Sequence, residues 1–183
     1  LKEKLDIPVV GVIEPGAKKA SQLTKNGKIG IIGTPSTINS EAYTKKLKNL
    51  DQSFEIVSKP CPLFVPLAEE GWQDDEITKL VASKYLNSLK DSGLDVLILG
   101  CTHYPILKDT IADVMGEKVY LVDSAEETAR ATKEILNKTE LRVSTKIKGS
   151  KTFYLTDTSQ TFISVAGQFL GEKIEEVSVV DIV

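Results

Sequence analysis

A chain of 183 residues is long enough to bury one full hydrophobic core or two small ones. Its apolar content of 41%, mixed with charges of both signs, is typical of a globular protein and excludes an intrinsically disordered chain. A net charge of −3 argues against direct nucleic-acid binding, while two cysteines, no signal peptide and no long apolar span predict a cytoplasmic protein that does not enter membranes.

Apolar strands alternate with helical segments along the whole chain. The first segments are the end of a helix at 1–5, a strand at 8–13 and a helix at 15–24. They are followed by a strand at 28–33, a turn at 34–37, a helix at 40–50, strands at 54–58, 96–99, 119–122, 153–155 and 177–182, and helices at 74–90, 105–115, 124–136 and 159–170. This alternation predicts an α/β fold with mainly parallel sheets.

The stretch from Asp95 to Pro105 is the most informative part of the chain. Four aliphatic residues, 96–99, lead into Gly100 and Cys101, and the only histidine, His103, follows two positions later. The pattern predicts a buried strand whose carboxyl end places Cys101 near a helix N-terminus, where α/β sheets bind ligands and where the helix dipole favours a thiolate. A lone cysteine after an aliphatic run also fits a small core residue, and His103 shifts the interpretation toward chemistry.

Polar side chains follow two other predicted strands. The turn that contains Thr34 and Thr37 fits either a helix N-cap or a site that holds a carboxylate with hydroxyl and backbone N–H groups. Glu69, which follows an apolar run, is interpreted from its own sequence context as a solvated carboxylate. The residues alone leave both sites open.

The remaining candidates are interpreted as structural. Asp123 and Ser124 have the spacing of a helix cap, and Cys61 lies between two prolines. Two cysteines and one histidine without Cys-x-x-Cys spacing predict no zinc site. Residues 11–19 lack the Lys-Ser/Thr pair of a phosphate-binding loop, so we expect no nucleotide there.

The segment Gly100-Cys-Thr-His-Tyr-Pro105, after Leu94-Asp-Val-Leu-Ile-Leu99, closely resembles a motif of the glutamate racemases in the aspartate/glutamate racemase family. Four further segments resemble that family too, so that the resemblance covers nearly the whole chain: 9–17, 33–43, 61–71 and 122–129. Histidine rather than glutamate after Cys101-Thr102 favours glutamate over aspartate as substrate.

The resemblance implies cofactor-independent interconversion of L- and D-glutamate, which supplies D-glutamate for peptidoglycan in bacterial cell walls. In the family two cysteines face opposite sides of the substrate carbon, one taking the α-proton and the other returning a proton. By resemblance one of them is Cys101, with His103 and Glu69 as acid/base helpers. The residues implied to contact the amino or carboxylate groups of the substrate are Thr102, Thr34 and Thr37.

The family's other catalytic motif, Cys-Asn-Thr-Ala, does not occur in this sequence, and Cys61 does not match it. The fold that the resemblance implies has two three-layer α/β domains, with the site in the cleft between them. Residues 14–122 are expected to form one complete domain, and residues 1–13 and 123–183 to belong to another whose N-terminal part is missing. We expect the chain alone to be inactive as a racemase.

Several alternatives stay open. In one of them the chain belongs to a racemase that acts on aspartate or another amino acid. In another, the chain is a non-catalytic protein that binds DNA gyrase, as some glutamate racemases do. A Cys-His hydrolase is disfavoured because its nucleophile and base are usually far apart in sequence. A homo-oligomer, specifically a homodimer, is expected by resemblance.

Overall fold

The computed structural model describes residues 4–143, 149–157, 160–174 and 177–181. They form two compact units, which divide between Arg142 and Val143. The elements of the first unit are α1 (Ile13–Leu23), β1 (Lys28–Gly33), α2 (Pro35–Asn39), α3 (Ala42–Leu50), β2 (Glu55–Pro60), α4 (Phe64–Glu69), α5 (Glu76–Asp91), β3 (Val96–Leu99), a 3₁₀ turn (Tyr104–Leu107), α6 (Lys108–Met115), β4 (Tyr120–Asp123) and α7 (Ser124–Lys138).

The first unit is built on a parallel sheet with the strand order β2-β1-β3-β4. The chain moves outward from β1 to β2 and then returns to the other side of β1 for β3. The strand order therefore reverses between β1 and β3, and in open α/β sheets the crevice at such a point binds ligands.

Both faces of this sheet are covered. Along β3 the side chains of Val96 and Ile98 enter a core with α1 and α3, while those of Leu97 and Leu99 enter a core with α4, α5 and α6. All four are fully buried, which explains the uninterrupted aliphatic run in the sequence. Helices on both faces make this unit a three-layer α/β structure.

The second unit contains β5 (Phe153–Leu155), α8 (Gln160–Leu170) and β6 (Val177–Val179). β5 and β6 pair in parallel, with Phe153 opposite Val177. The predicted α/β class with parallel strands is thus confirmed. The domain boundaries at 14 and 122 stay a prediction.

Some predicted elements differ from the structure. The strand expected at 8–13 is wrong, because α1 already begins at Ile13 and no described strand pairs with residues 8–12. Val12 is half exposed there. The helix expected from 40 to 50 is confirmed as α3, which begins at Ala42. The turn expected at 34–37 is instead the short helix α2, and Glu41, with a φ of 54°, separates the two helices. Helix α4 was not predicted, and the predicted helix end at 1–5 lies partly outside the described residues.

Candidate functional site

Cys101 lies at the carboxyl end of β3, beside the end of β1. The Gly100 N–H donates to the Ile32 carbonyl at 2.8 Å, which continues the ladder between the two strands by one residue. A Cβ at position 100 would stand 2.8 Å from that same carbonyl oxygen, so only glycine fits. This close approach fixes where Cys101 leaves the sheet.

The side chain of Cys101 borders a cavity of about 310 Å³. The cavity lies where the ends of β1 and β3 meet the start of α7, at the reversal of strand order. Its lining residues are Val12, Ile13, Thr37, Tyr43, Leu99, Gly100, Cys101, Thr102, Ser124 and Ala125. None of these described residues carries a formal charge, so hydroxyl, thiol and backbone groups supply the polarity of the cavity.

The environment of the Cys101 thiol acts on its pKa in two directions. Burial raises the pKa above that of an ordinary thiol, while hydrogen bonds from the backbone N–H groups of His103, Tyr104 and Thr102, together with the Thr102 hydroxyl, lower it. The net direction is upward. The local donors act on the thiolate in the direction expected at a helix N-terminus, and burial outweighs them.

The structure brings His103 and Glu69 together. His103 Nε2 lies 3.3 Å from Glu69 Oε1, and His103 Nδ1 lies 3.2 Å from the Thr102 hydroxyl. When Nε2–H donates to the carboxylate, the neutral ring offers Nδ1 as an acceptor for the Thr102 hydroxyl. The three side chains thus form a line of polar contacts that ends at Thr102 on the wall of the cavity.

The two threonines of the predicted turn have different positions. Thr34 caps α2, its hydroxyl accepting from the Thr37 N–H at 3.3 Å. Thr37 lines the cavity, and the two hydroxyls lie 3.0 Å apart. The N-cap interpretation is therefore confirmed for Thr34, which is not among the residues that line the cavity. The interpretation of the turn as a carboxylate site stays a prediction.

Ser124 and Tyr43 also line the cavity, and the sequence had not indicated either as a site residue. The cap of α7 is Asp123, which accepts from the N–H groups of Ala125 and Glu126 at 2.9 and 3.3 Å. The capping prediction is thus confirmed for Asp123 and wrong for Ser124. Tyr43 donates instead to the Ser124 hydroxyl at 2.7 Å, and both side chains are buried.

Cys61 is a core residue, as expected. Its side chain is 0% exposed among Phe64, Leu67 and Tyr104, and burial raises its pKa to about 12. It does not line the cavity.

Comparison with known proteins agrees with this geometry. Residues 1–132 match the Asp/Glu/Hydantoin racemase family. The chain belongs to this family. It is 51% identical over 177 residues to a glutamate racemase of Geobacter metallireducens, an alignment that covers 97% of this chain and 66% of that relative. The resemblance to glutamate racemases drawn from the sequence is confirmed.

Solved structures of glutamate racemases share the fold of this chain. A glutamate racemase of Bacillus anthracis superposes with a TM-score of 0.90 at 38% identity, covering 99% of this chain and 67% of that one. The Francisella tularensis glutamate racemase in complex with D-glutamate superposes with a TM-score of 0.87 at 36% identity, covering 96% of this chain and 65% of that one. The chain thus spans about two thirds of the length of these family members.

Neither a metal cluster nor a membrane-spanning helix is found among the described residues. They contain no group of three or more His, Cys, Asp or Glu side chains placed to hold a metal ion. None of the helices in this part of the chain has the length and apolar character needed to cross a membrane.

Proposed function

We propose that this racemase-family chain contributes the Cys101 side of an amino-acid racemase site that acts on glutamate without a cofactor. The observation that carries the proposal is the position of the Cys101 thiol on an uncharged, hydroxyl-lined cavity at the reversal of strand order. The D-glutamate complex of the F. tularensis relative supports the choice of substrate.

The reaction is a proton transfer at Cα. The Cys101 thiolate takes the α-proton, an S–H bond forms, and the C–H electron pair stays on Cα, delocalised into the adjacent carboxylate. A second acid on the opposite face then returns a proton to Cα. In the reverse direction the Cys101 thiol is the donor. The α-proton beside a carboxylate is a very weak acid, so the base has to be placed within hydrogen-bond reach of it.

The surroundings of Cys101 suit both directions of transfer. Burial favours the neutral thiol, which is the state needed to donate a proton. Backbone N–H groups of residues 102–104 stabilise the thiolate once the proton has left. The net direction of the pKa is upward, so the resting group is the neutral thiol, and the N–H groups reduce the free energy needed to form the thiolate.

His103 and Glu69 are proposed as the acid/base helpers of Cys101. Their contact of 3.3 Å holds the imidazole, and the Thr102 hydroxyl on the other ring nitrogen links it to the cavity wall. An imidazole ring can both accept and donate a proton, which suits a group that exchanges a proton with a nearby thiol. Thr102 and Thr37 are proposed to contact substrate, with Thr34 supporting Thr37.

The proposed mechanism uses two thiols, and Cys61 is not the second one. It lies in the core, fully buried, and away from the cavity lining. Within the described part of the chain, Cys101 is the thiol that borders this cavity. We therefore expect the isolated chain to exchange the α-proton on one face without inverting the carbon.

Wider roles are proposed from membership of the family. We propose that the activity supplies D-glutamate to peptidoglycan in the cytoplasm and that the functional form is a homo-oligomer. Gyrase binding is separated from catalysis by a supercoiling assay with the Cys101→Ala variant. Inhibition that persists in this variant would identify binding as a function of its own.

The proposal is tested by incubating the chain with L- or D-glutamate in deuterated water. The loss of the Cα–H signal in the proton NMR spectrum measures exchange. We expect exchange of at least one glutamate enantiomer above the protein-free control, and slower exchange of aspartate. Preferential exchange of aspartate would replace the proposed substrate, and no exchange of any amino acid would contradict the proposal.

A further inference from the structure

The buried pair of Tyr43 and Ser124 joins two distant parts of the chain at the cavity. Tyr43 belongs to α3, and Ser124 is the first residue of α7, 81 positions later. Their side chains are 3% and 6% exposed, and both border the same cavity as Cys101. Their hydroxyl oxygens lie 2.7 Å apart, with Tyr43 donating.

This hydrogen bond determines what the Ser124 hydroxyl offers to a ligand. A serine hydroxyl has one hydrogen and two lone pairs, and the Tyr43 hydrogen occupies one of those lone pairs. Burial raises the pKa of Tyr43, so the phenol keeps its hydrogen at neutral pH. Among the described residues the Ser124 hydroxyl donates no hydrogen bond, so its hydrogen remains available for a ligand.

Gly16 of α1 closes another side of the same hydroxyl. A Cβ at position 16 would stand 2.8 Å from Ser124 Oγ, closer than real side chains approach, so α1 packs directly against the serine. This glycine has no side-chain group that could accept a hydrogen bond. With Tyr43 on one side and Gly16 on another, the open side of the Ser124 hydroxyl is the cavity.

A carboxylate in this cavity needs such donors. The described lining residues carry no cationic side chain, so an anion has to be held by neutral hydroxyl and N–H groups. Hydrogen bonds to a charged acceptor are stronger than those between neutral groups. A hydroxyl that has one lone pair occupied and its hydrogen left for the ligand therefore binds a carboxylate better than one that rotates freely.

We propose that the Ser124 hydroxyl donates a hydrogen bond to the carboxylate bound beside Cys101, and that Tyr43 is the positioning residue that keeps Ser124 a donor. The inference rests on the proposed function and deepens it by assigning a further substrate-binding residue. It adds Ser124 to the threonines that the sequence indicated. Tyr43 acts only through Ser124.

The test measures how well glutamate protects Cys101 from alkylation by iodoacetamide in the full chain. Because Cys61 is buried, the modified residue in the native protein is Cys101, which peptide mass spectrometry verifies. The ratio of rates with and without D- or L-glutamate gives an apparent affinity that requires no turnover. The variants are Ser124→Ala, Tyr43→Phe and the double variant, with Tyr85→Phe as a matched control outside the cavity.

We expect Ser124→Ala to weaken protection by about tenfold and Tyr43→Phe by about three- to tenfold, while Tyr85→Phe has no effect. The double variant should be no weaker than Ser124→Ala, because Tyr43 has nothing left to orient. Denaturant unfolding of each variant verifies that it is folded, and a purely structural role for Tyr43 would lower stability without this loss of affinity.

Each of the other outcomes contradicts one part of the proposal: the role of Ser124, the role of Tyr43 or the substrate. Protection of the wild-type chain that persists unchanged in Ser124→Ala contradicts the inference and leaves the proposed function standing. Additive losses in the double variant contradict the positioning role of Tyr43. A wild-type chain that glutamate does not protect contradicts the proposed substrate, and the inference with it.

Discussion

The two cysteines follow β2 and β3, the strands on either side of β1, at the same edge of one parallel sheet, yet their surroundings differ. The Cys61 N–H donates to the Gly33 carbonyl at 2.9 Å, just as the Gly100 N–H donates to Ile32 on the other side of β1. After β2, helix α4 covers Cys61 completely. After β3, the chain leaves Cys101 on the wall of a cavity.

The comparison shows that a position at the carboxyl edge of a sheet does not by itself make a cysteine reactive. Burial raises the pKa of both thiols, to about 12 for Cys61, but at Cys101 three backbone N–H groups and a hydroxyl oppose it. At Cys61 the opposing influence is the charge of Lys59. The segment after each strand therefore decides between core packing and chemistry.

The largest expected difference is in thiol alkylation. In the native chain we expect Cys101 to react with iodoacetamide at least about a hundredfold faster than Cys61, which needs local unfolding to be reached. Since the pKa of Cys101 is raised, its rate should increase with pH and level off above the range of an ordinary thiol. Mass spectrometry of each cysteine-containing peptide gives both rates. Equal native rates would remove the distinction between the two sites.

The next effect concerns the helper groups, which are found at Cys101 only. Glu69→Gln should slow α-proton exchange by about 10- to 100-fold, because it removes the charged partner of His103. Glu70→Gln is the matched control, an exposed neighbour with no assigned role, and should exchange at the wild-type rate. The NMR exchange assay measures both variants. Equal losses in the two would contradict a specific role for Glu69.

A smaller effect should come from the buried thiol. The folded-state pKa of Cys61 is about 12 against an ordinary value of 9.0, so the folded chain holds this proton more tightly than the unfolded chain does. Its contribution to stability is therefore present below pH 9 and is lost as the pH rises toward 12, by at most about 1.4 kcal/mol per pH unit. Urea unfolding of wild type and Cys61→Ala across alkaline pH measures it. If the unfolding free energies of the two proteins changed equally with pH, the raised pKa of Cys61 would be contradicted.

The smallest effect concerns the contact that joins the segment after Cys101 to Cys61. Tyr104 donates to the Cys61 carbonyl at 2.8 Å, and that oxygen also accepts from the Phe64 N–H at 3.1 Å. Tyr104→Phe therefore leaves no unpaired carbonyl and should cost about 1 kcal/mol of unfolding free energy. Denaturant unfolding tests it, with alkylation of Cys61 as a second readout. A loss of several kcal/mol would show that this contact supports the whole edge of the sheet.

The sequence predicted the features that depend on neighbours along the chain. The aliphatic run at 96–99 has one structural solution, a strand buried on both faces, and Gly100 ends it where Cys101 leaves the sheet. The His103–Glu69 pair came from the family resemblance, and the geometry places the two in contact. Their roles stay a prediction until exchange is measured.

The sequence could not predict features that depend on distant contacts. Ser124 has the local pattern of a helix cap, and only its contact with Tyr43, 81 positions away, places it at the cavity. The strand expected at 8–13 has apolar residues but no described partner strand, which the local pattern does not reveal. The pKa of Cys101 depends on a balance between burial and local donors, and only the folded chain determines burial.

The central claim, that Cys101 and not Cys61 carries proton transfer at Cα, is tested most directly by deuterium exchange with two matched variants. Cys101→Ala and Cys61→Ala each remove one thiol, and circular dichroism verifies that both are folded. We predict that Cys101→Ala loses exchange of glutamate while Cys61→Ala retains it. Exchange at the wild-type rate in Cys101→Ala would contradict the account.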